Sequence, residues 1–219
     1  MELNQPHAGP VYSDKQLSII RAAEELFAKH GFDGTSVRDI AHHANVNVAM
    51  ISYYFGSKEN LFESIVTNRM ASSGVMLEGI LADENLTPFE KLKTVVDRYV
   101  DRILEHPFYH KILMRQQLAH GTGDLSAPMM QIKLRNLSLI KKIVQEGIRK
   151  KMFVKHVDVA LLNATLFGVF YQVVNNEAFY RHVWGLEDLS QEAFHQQLSK
   201  KLKIHLKFLL QSVLTNQEH

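Results

Sequence analysis

The chain has no cysteine, which excludes a disulfide framework and thiol chemistry and agrees with a reducing cytoplasm. It has no run of eighteen apolar residues, and its start lacks a charged-then-apolar signal pattern, so neither a membrane partner nor export is expected. It has little net charge, +2 with His neutral, which is weak evidence for any partner. It has no Gly-rich phosphate loop, no nucleophile elbow and no paired-carboxylate motif, so no enzyme is expected. No strand pattern and no internal repeat stand out. Twelve histidines invite a metal, but Pro107 sets a helix boundary between His106 and His110. No third ligand follows at telling spacing, so neither metal nor cofactor is expected. What is present is apolar content, 46% of 219 residues, enough for a buried core in one large domain or two small ones.

The stretch from Thr35 to Lys58 organises the chain. Val37, Ile40, Ala41 and Ala44 fall at i, i+3, i+4 and i+7, one face of a helix. Thr35 or Ser36 can cap it, and Asp39 favours its first turn. Asn45 stands where that helix must stop, and Asn tolerates the left-handed conformation of such a stop. Asn47 can cap a second helix, Val48 to Phe55, with Ile51 and Phe55 inward. Val48, Ala49, Ser52, Tyr53 and Tyr54 then face largely outward. Two adjacent tyrosines suit a surface that is partly apolar and rich in phosphate oxygens. This is the logic of a helix-turn-helix, whose second helix enters the DNA major groove.

The sequence TSVRDIA, a turn, then ISYYFGSKENLF resembles the DNA-binding domain of the TetR family of bacterial regulators, over roughly Ser13 to Val66. The chain departs from the family at Asn45, where Gly is usual, and at Val48, where some relatives carry a polar reader. The resemblance implies an all-α fold: an N-terminal three-helix DNA-binding head and a C-terminal helical body for ligand binding and dimerisation. The expected domains are a flexible tail over 1–12, the head over 13–66 and the body over 67–219. Residues expected to meet operator DNA are Thr35, Ser36, Arg38, Asn47, Val48, Ala49, Ser52, Tyr53, Tyr54 and Lys58. Lys58 resembles the family's phosphate-gripping lysine. From Tyr12 to Lys58 the cations Lys15, Arg21, Lys29, Arg38 and Lys58 are cancelled by Asp14, Glu24, Glu25, Asp33 and Asp39. DNA binding would therefore rest on a few placed cations and helix N-termini, and an all-helical protein-binding module without DNA binding is the alternative.

Around this stretch the pattern is helical throughout. Ser13 and Gln16 form a capping-box spacing for a first helix that Gly31 ends. A fourth helix runs from Lys58 toward Leu81. Thr87-Pro88-Phe89-Glu90 opens a fifth, to about Glu105. Pro107 opens another, and a further one covers about Pro128 to Lys151. Val157 to about Val183 reads as the longest apolar-rich helix, hydrophobic nearly all round and so buried on every side. One side would meet its own core and the other a second subunit. Ala164 and Gly168 would let a partner helix come close. A last helix from about Ser190 to Leu214 carries Leu198, Leu202, Leu206, Leu209 and Val213 on one stripe. These two helices resemble the pair that dimerises TetR-type proteins, so Ala164, Gly168, Leu198, Leu202, Leu206 and Leu209 are the expected homodimer contacts. Phe108, Tyr109, Met114, Phe167, Tyr171 and Trp184 are the expected walls of a site for a mostly apolar small-molecule effector.

Overall fold

The structure is a computed structural model and describes residues 12–105 and 127–215. Every regular element among them is a helix. In order these are α1 (Asp14–His30), α2 (Val37–His43), α3 (Val48–Phe55), α4 (Lys58–Ala82), α5 (Pro88–Glu105), α6 (Ala127–Arg149), α7 (Val159–Asn175), α8 (Glu177–Val183) and α9 (Gln191–Leu214). None of them is long and apolar enough to cross a membrane. The expected tail, apart from Tyr12, and the helix opened by Pro107 lie outside the described residues, as do His106 and His110.

Helix starts follow from local side-chain chemistry. Ser13 and Gln16 form a reciprocal capping box at α1. Ser36 and Asp39 do the same at α2, and Thr87 and Glu90 at α5. Asn47, Asp158 and Ser190 each accept a backbone N–H from the first turn of α3, α7 and α9. Asn45 takes φ 52, the left-handed stop that lets α2 turn into α3.

The described residues group into two units, 12–75 with 127–134, and 76–105 with 135–215. In the first, Ile19, Ile20, Ala23 and Phe27 of α1 are buried with Ile40 and Ala41 of α2, Ile51 and Phe55 of α3, and Leu61, Phe62, Ile65 and Val66 of α4. The rings of Phe27, Phe32 and Phe62 meet in pairs, with centroids 5.1–6.0 Å apart. Arg69 of α4 pairs with Glu24 of α1. Met129 is buried in this cluster, whereas Met130 is exposed.

In the second unit α5 lies along α9. Val96, Val100 and Ile103 face Phe194, Leu198, Leu202, Leu206, Leu210 and Leu214, all buried in one cluster with Phe170, Val173 and Val174 of α7. Beside this seam Asp97 meets Lys207 at 2.6 Å and Asp101 meets Lys203 at 2.5 Å. The Lys91 ammonium is buried, donating to the Leu81 carbonyl at 2.9 Å and to Glu146 at 3.1 Å.

Two expectations are corrected. The single helix from Val157 to Val183 is two, broken at Asn176, and α4, α6 and α9 all exceed the seventeen residues of α7. The Asn175 and Asn176 side-chain amides donate to the Tyr171 and Gln172 carbonyls, competing with the backbone that would extend the helix. Leu198, Leu202 and Leu206 are buried within this chain's own core and offer no free surface to a second subunit, while Leu209 is only partly buried against it. Leu210 and Leu214 continue the buried stripe, while Val213 is exposed.

Candidate functional site

The first unit presents a defined outer surface. Ile51 and Phe55 anchor α3, and the 3.6-residue period carries Val48, Ala49, Ser52 and Tyr53 outward. Tyr53 is 83% exposed, although its ring meets Tyr54 edge-on at 5.2 Å. Tyr54 is half-buried against the head core, so only part of it reaches the surface. Asn47 is exposed; its Oδ1 accepts the Ala49 N–H at 2.9 Å, which leaves its amide NH₂ at the entrance to α3.

Helix α2 adds Ser36 and Arg38, both exposed at its start. The Ser36 hydroxyl donates to Asp39 at 2.6 Å and accepts the Asp39 N–H at 3.2 Å. The Ser36 hydroxyl and backbone N–H hold the Asp39 carboxyl below its ordinary value. His42 and His43 are exposed near the end of the helix, His43 2.9 Å from Glu25 of α1.

Two expected DNA contacts are placed otherwise. Thr35 is 2% exposed, and its hydroxyl points to the Gly31 and Leu26 carbonyls at 2.8 and 3.2 Å. Its side chain holds the α1–α2 turn and is withdrawn from the surface, because a buried hydroxyl needs an internal acceptor. Lys58 is half-buried, with its ammonium donating to the Phe32 and Thr35 carbonyls. The surface that remains is Ser36, Arg38, Asn47, Val48, Ala49, Ser52, Tyr53 and part of Tyr54, within a few residues of the N-termini of α2 and α3.

In the second unit the structure joins Phe167 and Tyr171 to Tyr99 of α5, a residue that sequence reasoning missed. The Tyr99 and Phe167 rings meet edge-on at 4.4 Å, and Tyr171 tilts against Phe167 at 6.3 Å. Burial pushes the Tyr171 hydroxyl pKa up from its ordinary value. The contacts of Trp184 are elsewhere, with Tyr180 at 5.1 Å and beneath the Lys201 ammonium. Phe108, Tyr109 and Met114 lie outside the described residues. A spacing signal for Tyr99 did exist: with Val96, Val100 and Ile103 it continues the inward stripe of α5.

The outer side of α7 carries Leu161, Ala164, Thr165 and Gly168, all exposed. A side chain at Gly168 would meet open space. On α9 the exposed apolar residues are Ile204, Phe208 and Val213.

The HTH-type transcriptional repressor NicS of Pseudomonas putida is 33% identical over 137 residues, 62% of this chain and 64% of that one. The chain thus spans less than two thirds of that relative. The fatty acid metabolism regulator protein of Bacillus subtilis is 28% identical over 162 residues, 73% of this chain and 81% of that one. Among solved structures, FadR from Bacillus subtilis in complex with stearoyl-CoA superposes with a TM-score of 0.63 at 22% identity, over 85% of this chain and 96% of that one, which shows a shared fold. The head matches the family model for bacterial regulatory proteins of the tetR family over residues 19–65. Residues 88–202, more than half of the chain, match the tetracyclin repressor-like C-terminal domain, and on that match the chain belongs to the TetR family.

Proposed function

We propose that the chain is a ligand-responsive, DNA-binding transcriptional regulator acting as a homodimer in the cytoplasm. It works as a repressor: it binds a palindromic operator through residues 13–66 and is released when a small molecule fills residues 67–219. The observation that carries this reading is α3, whose Ile51 and Phe55 are locked in the core while Val48, Ala49, Ser52 and Tyr53 stand outward. A two-turn helix held from behind, with its outer face uncommitted, suits entry into a major groove. Arg38 and the N-termini of α2 and α3 supply positive potential without a broad basic field. The NicS match supports repression.

The effector is mostly apolar. The aromatic group of Tyr99, Phe167 and Tyr171 supports this, and so does the FadR relative solved with stearoyl-CoA. Ligand that favours the conformation with wrongly spaced recognition helices releases the operator. A tenfold release needs only about 1.4 kcal/mol of differential affinity.

The test is selection of duplexes from random-sequence DNA, followed by gel shift with Tyr53→Ala. Tyr53 is exposed, so the variant should keep its melting temperature and lose affinity for the selected duplex. Equal binding by parent and variant would show that α3 does not read DNA. Failure of the parent to select any duplex would favour the protein-binding alternative.

A further inference from the structure

Lys58 is the first residue of α4, where the helix dipole disfavours a cation. Something must offset that placement, and the structure shows what does. The ammonium donates to the Phe32 carbonyl at 2.9 Å and to the Thr35 carbonyl at 3.2 Å. It also stands 4.2 Å from the centroid of the Phe32 ring, a favourable cation–π distance. Both carbonyls belong to the turn between α1 and α2. Thr35 is buried, so its carbonyl calls for a protein donor. The other side of the same turn is held by the Thr35 hydroxyl on the Gly31 and Leu26 carbonyls. The Phe32 ring is set between Phe27 and Phe62. Helix α2 begins at Val37, directly after this turn, and Arg38 is its second residue.

We propose that Lys58 is a positioning residue for DNA binding: its ammonium clasps the α1–α2 turn, fixes where α2 starts, and thereby places Arg38 against a phosphate. Two of its three donors already meet carbonyl oxygens, so its contribution to binding passes through α2. This rests on the DNA-binding reading above. It differs from the phosphate grip that the motif implies, and the two make opposite predictions about additivity.

The experiment is a double-mutant cycle of Lys58→Met and Arg38→Ala on a duplex that the full-length parent selects from random-sequence DNA. Methionine keeps an apolar stem and removes the charge. Alone, Lys58→Met should weaken binding by about tenfold or more, the scale of a lost charge-assisted hydrogen bond. In the Arg38→Ala background the same change should cost less than about twofold, because the positioned group is gone. Equal losses in both backgrounds mean that Lys58 grips phosphate independently, and the proposal fails.

Amide exchange in the DNA-free chain supplies the second readout. The amides of Thr35, Asp39 and Ile40 bond to the Phe32 carbonyl, the Ser36 hydroxyl and the Ser36 carbonyl. In Lys58→Met they should exchange about tenfold faster, while the Gly31 amide, bonded to Phe27, stays as in the parent. Unchanged exchange at those three sites also overturns the clasp. If Lys58→Met does not fold, Lys58→Gln takes its place in both measurements. If the parent selects no duplex, the DNA-binding reading fails, and the exchange measurement still decides whether the clasp exists.

Discussion

At the scale of single residues, the α2 start links charge to stability. The Asp39 carboxyl is held below its ordinary value of 3.8 by the Ser36 hydroxyl and N–H. Because the folded-state value is the lower one, the capping box contributes fully above the unfolded value. That contribution is lost as pH falls through the folded one. The head should therefore lose melting temperature on acidification below about pH 4, and Asp39→Ala should flatten that part of the profile. A profile identical in both proteins would remove the box from the account. Phe167 gives a second prediction. Its half-buried ring lies on Tyr99, so Phe167→Ala should change the response to effector while operator affinity without effector stays within about threefold. Loss of operator binding in a folded dimer would place Phe167 in the structural core.

What was legible at this scale was local. Ser13–Gln16, Ser36–Asp39, Thr87–Glu90 and the left-handed Asn45 all depend on neighbours within four residues, and all could be read from the string. The Lys58 partners lie twenty-three and twenty-six positions away, so no spacing rule reports them. Thr35 and Ser36 were equal as caps until burial separated them: Ser36 faces water and caps, while Thr35 turns inward.

At the scale of elements, apolar periodicity runs on through Asn176, and only the polar pair Asn175-Asn176 marks the break between α7 and α8. Apolar periodicity does not extend a helix when side-chain amides compete for the same carbonyls. The end of α6 offers a sharper test. The chain turns back there: the Met152 and Phe153 amides bond to the Gly147 carbonyl, and the Phe153 ring covers Gly147. A Cβ at Gly147 would overlap that ring. Helix propensity favours Ala over Gly by about 1 kcal/mol. Overpacking typically costs about 1–3 kcal/mol. The ring is buried and stacked edge-on with Phe89, so it has little room to yield. Gly147→Ala should thus lower stability, by up to about 2 kcal/mol in chemical denaturation. A stabilised variant would mean that Phe153 moves aside at no cost.

At the scale of the molecule, the question is which apolar face remains for a second copy. The α9 stripe was readable as a stripe, but periodicity does not say whether its partner is the same chain or another. The structure assigns Leu198, Leu202 and Leu206 to the protomer's own core with α5 and α7. It leaves Leu161 66% exposed on α7, and Ile204 and Phe208 each 62% exposed on α9, two helices that pack on one another. Large apolar side chains exposed on two packed helices suit a face that a second copy covers. The expected homodimer contact therefore moves from the leucines to Leu161, Ala164, Gly168, Ile204 and Phe208. The two sets separate experimentally. Leu202→Ala removes buried volume and should cost the protomer about 2–5 kcal/mol. Phe208→Glu changes an exposed position, so a lone protomer should lose no more than about 0.5 kcal/mol. Within a dimer the same change buries an unpaired carboxylate and should dissociate it. Gly168→Arg should act alike, since its side chain meets open space within one protomer. Sedimentation at micromolar concentration should find the parent dimeric and both variants monomeric, with helical content unchanged by circular dichroism. A dimer that survives both substitutions would place the interface on another face.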